Sequence, residues 1–370
     1  MAALNHDIPR KTVIDAIDLL IDNLVNIKDE TGEFLLHLED GRIIDTKGWA
    51  GWEWTHGVGL FGMWRYYEQT GDAKVLGIIK QWFEDRFAEG TPTKNINTMA
   101  PFITLAYLYE QEYDPRYVPY LDTWAEWLMA PDGLPKTEEG GFQHIVFNDE
   151  NPGELWDDTL MMSVLPLAKI GLLLDRPHYV EEAKRQFLVH IKYLADRKSG
   201  LWFHGWTFLE RHHFANALWA RGNCRVTIAI PEIIELLDLE PGDAFREFLI
   251  DALAAQVKAL AQYQDESGLW HTLIDDPGSY LEASAAAGFA YGILKAVRKG
   301  YLPRQYEQVG LRAVKAVLAN IDDKGELQQV SFGTPVFDDL QGYRDIRLTS
   351  MPYGQSLAIC ALGEMLRTYI

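Results

Sequence analysis

The most constraining feature of this chain is a repeat in which long amphipathic segments alternate with a glycine turn and a short aromatic run. Residues 11–29 carry Val13, Ile14, Ile17, Leu20, Ile21, Leu24, Val25 and Ile27. That is the three-and-four spacing of a helix with a broad apolar face. Comparable segments span 57–70, 73–87, 98–112, 118–129, 159–174, 179–195, 226–237, 244–264, 284–299, 306–319 and 353–368. The pattern predicts about twelve helices, and no alternating β-branched run is long enough to compete. Between them the chain reads Thr31-Gly32-Glu33-Phe34, Glu139-Gly140-Gly141-Phe142, Ser199-Gly200-Leu201-Trp202, Ser267-Gly268-Leu269-Trp270 and Lys324-Gly325-Glu326-Leu327. The turns recur every roughly 55 to 70 residues, with one gap close to two periods, so one supersecondary unit is used repeatedly. Twelve helices in pairs make about six hairpins, which either stack in an open solenoid or close into a ring. The loops here are long and rich in Trp, His and Asp, as the mouth of a closed toroid requires. The expected fold is all-α, an (α/α)6 barrel, with residues 1–370 as a single domain because no linker-like run divides them.

Charge and composition narrow the function. Lys and Arg total 34 and Asp and Glu 54, a formal net charge of −20. Such a surface argues against nucleic acid and anionic membranes as partners, since both need clustered cations. No stretch reaches the apolar length of a membrane span. Residues 1–7 show no basic patch followed by an apolar run, so no secretory leader is expected. Cys224 and Cys360 have no metal or disulfide spacing, which favours the cytoplasm. Twelve Trp, 17 Tyr and 16 Phe supply core, and they also suit a cleft in which rings stack on sugars.

Chemistry concentrates in Gly153-Glu154-Leu155-Trp156-Asp157-Asp158-Thr159-Leu160-Met161-Met162, where two carboxylates lead into an apolar helix. One of them can cap the helix. The other can point inward, where a neighbouring indole would raise its pKa toward that of a general acid. A second cluster is Leu201-Trp202-Phe203-His204-Gly205-Trp206, followed by Trp219-Ala220-Arg221-Gly222-Asn223-Cys224-Arg225. Arg221 and Arg225 flank a glycine in an apolar context and could grip a carboxylate, or make ordinary surface salt bridges. Trp52-Glu53-Trp54-Thr55-His56 and Lys94-Asn95-Ile96-Asn97 precede helices at the same level and look like a rim. His212 and His213 point apart with no acidic partner at ligand spacing, so no metal is expected. No phosphate loop, nucleophile elbow or Cys/His dyad is present.

Taken together, Gly141-Phe142-Gln143-His144, Trp156-Asp157-Asp158-Thr159-Leu160-Met161-Met162, Gly200-Leu201-Trp202-Phe203-His204-Gly205-Trp206 and Trp219-Ala220-Arg221-Gly222-Asn223 resemble glycoside hydrolase family 105. These are the unsaturated rhamnogalacturonyl hydrolases, related to the unsaturated glucuronyl hydrolases of family 88. The resemblance implies an (α/α)6 barrel, and no cofactor is expected because no ligand set with credible spacing exists. Its substrate would be a small acidic oligosaccharide from a polysaccharide lyase, bearing a C4=C5 double bond in its non-reducing uronate. It places the family's catalytic Asp on Asp158, its motif histidine on His204 and its pocket Trp and Arg on Trp219 and Arg221. Trp54, Asn95, His144 and Arg225 complete the expected substrate-binding set. The chain departs from the family pattern in having Arg225 where an aromatic is usual, and amides near Asn95 where a second Asp is usual. Other enzymes of this fold offer alternatives: an inverting glycosidase with two separated carboxylates, or an epimerase-like isomerase using paired histidines from His144, His204 and His271. A non-catalytic sugar-binding protein is a third reading, because fold alone does not choose.

Overall fold

The computed structural model describes residues 7–39 and 41–369. The expectation placed on residues 1–7 therefore falls, apart from Asp7, outside the described residues. In chain order the elements are α1 (Arg10–Asn26), β1 (Leu35–His37), β2 (Ile43–Asp45), α2 (Trp54–Thr70), α3 (Ala73–Glu89), α4 (Phe102–Glu112), α5 (Val118–Met129), β3 (Glu154–Trp156) and a π-helical turn (Leu160–Val164). There follow α6 (Leu165–Leu173), α7 (Pro177–Leu194), β4 (Gly205–Thr207), α8 (Ala220–Leu236), α9 (Ala244–Tyr263), β5 (Trp270–His271), β6 (Leu281–Glu282), α10 (Ala283–Arg298), α11 (Glu307–Ala319), α12 (Leu340–Arg344) and α13 (Pro352–Leu366).

Burial sorts the helices into two layers. Every residue of α13, and of α8 from Ala220 to Ile234, is buried, the charged Arg221, Arg225 and Glu232 included. In contrast, α7 buries only the stripe formed by Tyr179, Ala183, Gln186, Phe187, Val189, His190 and Leu194. Helices α2, α4, α6, α8, α10 and α13 form the inner ring, each packed on the next, and α13 closes it against α2. The outer layer is α1, α3, α5, α7, α9 and α11. This is the expected (α/α)6 barrel of six hairpins, closed rather than open.

The repeated turn has a packing reason. A Cβ at Gly268 would come within 2.6 Å of the Arg312 carbonyl on α11, and one at Gly325 would run into the Leu19 carbonyl of α1. Both glycines also have positive φ, so the turn needs a residue with neither bulk nor handedness. These two turns, and the one at Gly200 against the Ala255 carbonyl of α9, thus seat on the next outer helix.

Several boundaries differ from expectation, among them the start of α4, at Phe102 rather than 98. Helix α2 begins at Trp54 rather than near 57, because Glu53 accepts from the Trp54 amide at 2.8 Å while His56 Nδ1 accepts from the Glu53 amide at 3.1 Å. Helix α8 begins at Ala220 rather than 226. Its first turn is pinned by Asn223, whose Nδ2 donates to the Trp202 and Trp219 carbonyls at 2.7 and 2.9 Å. Helix α6 is preceded by the π-helical turn. The short antiparallel pairs β1–β2, β3–β4 and β5–β6, each two or three residues per strand, and α12 lie below the length at which periodicity can announce them. Among the described residues no helix is long and apolar enough to cross a membrane.

Candidate active site

The inner helices run parallel, and the chemistry collects where α2 and α8 begin. Pairing of Trp156 with Gly205 across β3–β4 carries the Asp157-Asp158 doublet alongside His204, and the Asp157 amide donates to the His204 carbonyl at 3.0 Å. The π-helical turn follows directly, a geometry frequent at functional sites. Neither carboxylate caps this turn, contrary to the capping reading: the Asp158 carbonyl accepts from the Met161 and Met162 amides, while the side chains point elsewhere. Asp157 lies against Gly222 of α8, where any Cβ would collide with its carboxyl. Both its oxygens are buried without a partner. Burial, and then the neighbouring Asp158, push its carboxyl well above the usual range.

Asp158 has the opposite environment. Arg225 Nη1 donates to its Oδ2 in a short buried contact, and His144 Nδ1 lies 3.8 Å from Oδ1. Burial works to raise this carboxyl, but His144, Arg225 and His204 together hold it below the ordinary aspartate value. The two imidazoles are themselves pushed down by burial, to about 4 for His144 and about 3 for His204. Arg225 is therefore the standing cation at neutral pH. The expected rise beside an indole falls on Asp157 and not on Asp158, because Arg225 arrives from α8 to pair with the second carboxylate.

Aromatic rings wall the group. His144 stacks on Trp156 at 4.3 Å, and His204 packs on Trp219 at 4.1 Å with Trp156 edge-on at 5.2 Å. The Arg225 guanidinium lies over Trp54 at 4.3 Å, and Trp54 stacks on Tyr353 at 4.6 Å. Several polar atoms here are buried without a partner: Asp158 Oδ1, Arg225 Nε and Nη2, His204 Nε2, Trp219 Nε1 and Asn95 Nδ2. The Asn95 loop abuts the His144 loop through an Ile96 amide to Ile145 carbonyl bond of 3.0 Å. The structure thus brings Asp158, His144, His204, Trp219, Arg225 and Trp54 together, with the Asn95 loop at their edge.

The two arginines divide. Arg221 Nη1 donates to the Ser331 carbonyl at 2.9 Å and Nη2 to the Phe332 carbonyl at 2.9 Å, with Ser331 Oγ at 2.5 Å and Glu282 at 3.5 Å. Its terminal donors are committed to the chain itself, so they do not converge with Arg225 on one free carboxylate. Lys94 turns toward α5, donating to the Thr123 carbonyl at 2.9 Å. His271 engages the Ser279 carbonyl. His212 and His213 bond Glu210 and the Tyr193 carbonyl separately. Among the described residues no three of His, Cys, Asp and Glu group as a metal site.

Three further residues belong to the site. Glu53 caps α2 beside Asn97, and burial lifts its carboxyl to about 8 against the pull of Trp54, Asn97 and Arg225. Tyr343 of α12 meets His204 Nδ1 at 2.8 Å. Thr159 Oγ1 meets His144 Nδ1 at 2.8 Å. Glu53 carried a signal, an acid between two tryptophans at a helix start; Tyr343 carried none.

Residues 26–369 match the profile of Glycosyl Hydrolase Family 88. The chain belongs to glycosyl hydrolase family 88. It is 32% identical over 322 residues to the unsaturated rhamnogalacturonyl hydrolase YesR of Bacillus subtilis, covering 86% of this chain and 90% of that protein. A crystal structure from Salmonella enterica serovar Paratyphi A, described as a possible member of the GH105 family, is 61% identical with a TM-score of 0.97 over 99% of this chain and 96% of that one. The unsaturated glucuronyl hydrolase of Bacillus sp. GL1 shares the fold, with a TM-score of 0.69 at 17% identity over 96% of both chains. This family 88 chain is thus a glycoside hydrolase, and its site holds one ion-paired carboxylate within an aromatic wall.

Proposed function

We propose that this enzyme, acting as one catalytic domain, removes the unsaturated uronic acid from the non-reducing end of small lyase-generated oligosaccharides, with rhamnogalacturonan-derived disaccharides as its preferred class. The observation that carries this reading is the Asp158–Arg225 pair: a carboxylate able to deliver a proton beside a cation with unused donors suits a sugar that is itself an anion. The similarity to YesR supports the sugar class. With the chain at −20, the long-range field repels such a substrate, so capture depends on short-range contacts at Arg225 and at the ring faces of Trp54 and Trp219. Two buried free thiols, Cys224 and Cys360, suit a cytoplasmic setting.

In this reading Asp158 gives its proton to C4 of the vinyl ether, leaving positive charge shared between C5 and the ring oxygen. Water adds at C5, and the hemiketal opens to a ketone by breaking the bond from C5 to the ring oxygen. The glycosidic carbon, now a hemiacetal, releases the neighbouring sugar. One carboxyl suffices, so the paired-carboxylate spacing of ordinary retaining or inverting enzymes does not apply. His144 and His204, held neutral, are positioned to orient the ring by hydrogen bonds. A panel of lyase-generated unsaturated disaccharides tests this, with loss of the double bond's ultraviolet absorbance as the signal. Turnover fastest on the rhamnose-linked member supports the reading, and no turnover on any member overturns it.

A further inference from the structure

The unused donors of Arg225 have a specific arrangement. Nη1 is occupied by Asp158, whereas Nε and Nη2 are both buried without a partner. Nε and Nη2 share the side edge of a guanidinium and form a fork for two carboxylate oxygens. The plane is steadied by Trp54 at 4.3 Å. Arg221 cannot substitute, because Ser331 and Phe332 hold its terminal donors.

We propose that Arg225 couples substrate capture to acid catalysis: it holds Asp158 through Nη1 and receives the sugar carboxylate on its Nε–Nη2 edge, so that Asp158 takes up a proton from solvent only when a second anion occupies the same cation. This rests on the function proposed above. An added carboxylate shares the positive charge that keeps Asp158 ionised and places a like charge beside it, and both effects favour the protonated acid. His144 and His204 pull Asp158 down only when protonated, so at neutral pH the cation left facing it is Arg225. His144 and His204 are kept neutral by burial. Buried His190 of α7 is likewise pushed down to about 4, and Asp157 and Glu53 are held toward their protonated forms. A uronate would switch on its own proton donor, while a neutral sugar of the same shape would bind to an enzyme whose acid is still ionised.

The test compares pH profiles on one unsaturated disaccharide and its uronate methyl ester. The alkaline limb of kcat/KM reports the acid in free enzyme, and that of kcat reports it in the complex. With the free acid, the kcat limb is expected about one pH unit or more above the kcat/KM limb, given the size of charge-pair shifts. With the methyl ester the two limbs coincide, and kcat at neutral pH falls about tenfold or more by the same shift. Arg225→Gln is expected to merge the limbs on the free acid, and Arg225→Lys, which keeps charge without the fork, to narrow the gap. Coincident limbs for the wild-type enzyme on the free acid, or equal profiles for acid and ester, overturn the coupling while leaving the hydrolase reading intact. The ester arm needs no variant, so misfolding of an Arg225 substitution does not blunt it. Absence of turnover on every unsaturated uronide overturns both.

Discussion

Arg225 and Glu232 lie on the same face of α8, about two turns and ~10 Å apart, yet their surroundings contrast. Glu232 accepts from Arg65 Nη2 at 2.6 Å, from Lys295 Nζ and from the Tyr291 hydroxyl, so both its oxygens are engaged. Arg65 also reaches the Tyr107 hydroxyl at 2.8 Å and Glu68 at 2.7 Å. Lys295 also pairs with Glu235 at 2.5 Å. Burial presses Glu232 upward, but Arg65 and Lys295 outweigh it and the carboxyl stays below its ordinary value. This network ties α2, α4, α8 and α10 together. At the other end of α8, Asp157 has no partner for either oxygen and Arg225 uses one of its nitrogens. One helix therefore satisfies its buried charge at one end and leaves it open at the other. Buried polar atoms without a partner are the exception in native folds, and several of them gather around Asp158 and Arg225, although others, Arg65 Nε of the closed network among them, lie elsewhere.

The largest expected effect tests whether the closed end serves stability only. Glu232→Ala leaves Arg65 and Lys295 buried without their shared carboxylate and should cost about 3–5 kcal/mol, read as a lower urea midpoint with unchanged slope. The folded fraction should keep its kcat and KM; lost activity without lost stability would break the contrast. At the open end, Asp158→Asn should lower turnover by about 10³-fold with little change in Tm. Activity abolished by Asp157→Asn and spared by Asp158→Asn would exchange the roles of the two carboxylates.

Arg221 sharpens the boundary between the two regimes. Its substitution by Ala removes charged hydrogen bonds to Ser331 and Phe332 and should destabilise by about 1.5–3 kcal/mol, while Arg225→Ala should act mainly on KM. Equal KM increases in both would return Arg221 to the substrate. The smallest effect concerns Glu53. Its folded pKa, raised from 4.5 to about 8, gives a contribution fully present below 4.5 that is lost as pH rises through about 8. Thermal melts of Glu53→Gln across that window should decline less with pH than the wild type does. Parallel declines would show that Glu53 ionises freely in the folded state.

The helices and their order were legible because burial on one face leaves three-and-four spacing, as in Val13, Ile17, Leu20 and Leu24. The carboxylate doublet was legible because Asp157 and Asp158 interrupt an apolar run. The start of α8 was not: Gly222 and two arginines resemble a loop, and the contacts that fix its first turn come from distant segments, Asn223 gripping the Trp202 carbonyl and the Ala220 amide donating to the Thr272 carbonyl. Nor was the electrostatic character of Asp158, which is decided by Arg225 on another element. Local sequence cannot register a partner brought in by the turn of a ring, and Tyr343 beside His204 is the same case at longer range.

Ring closure also carries a temporal consequence. Helix α1 ends at Asn26 and packs on α13, which begins only at Pro352, and the Gly325 turn seats on α1 as well. During synthesis α1 meets α2, whose Gly59 lies against Leu24, long before it meets α13. Asp158 and Arg225 leave the ribosome long before Tyr343, Tyr353 and the Ser331 segment that fix their neighbours, and contacts so distant in sequence form late. A nascent chain halted before α13 would carry the Asp158 carboxylate without Tyr353 and the ring closure around it, so under the function proposed above hydrolytic competence is expected to arrive with α13 rather than to grow in proportion to chain length.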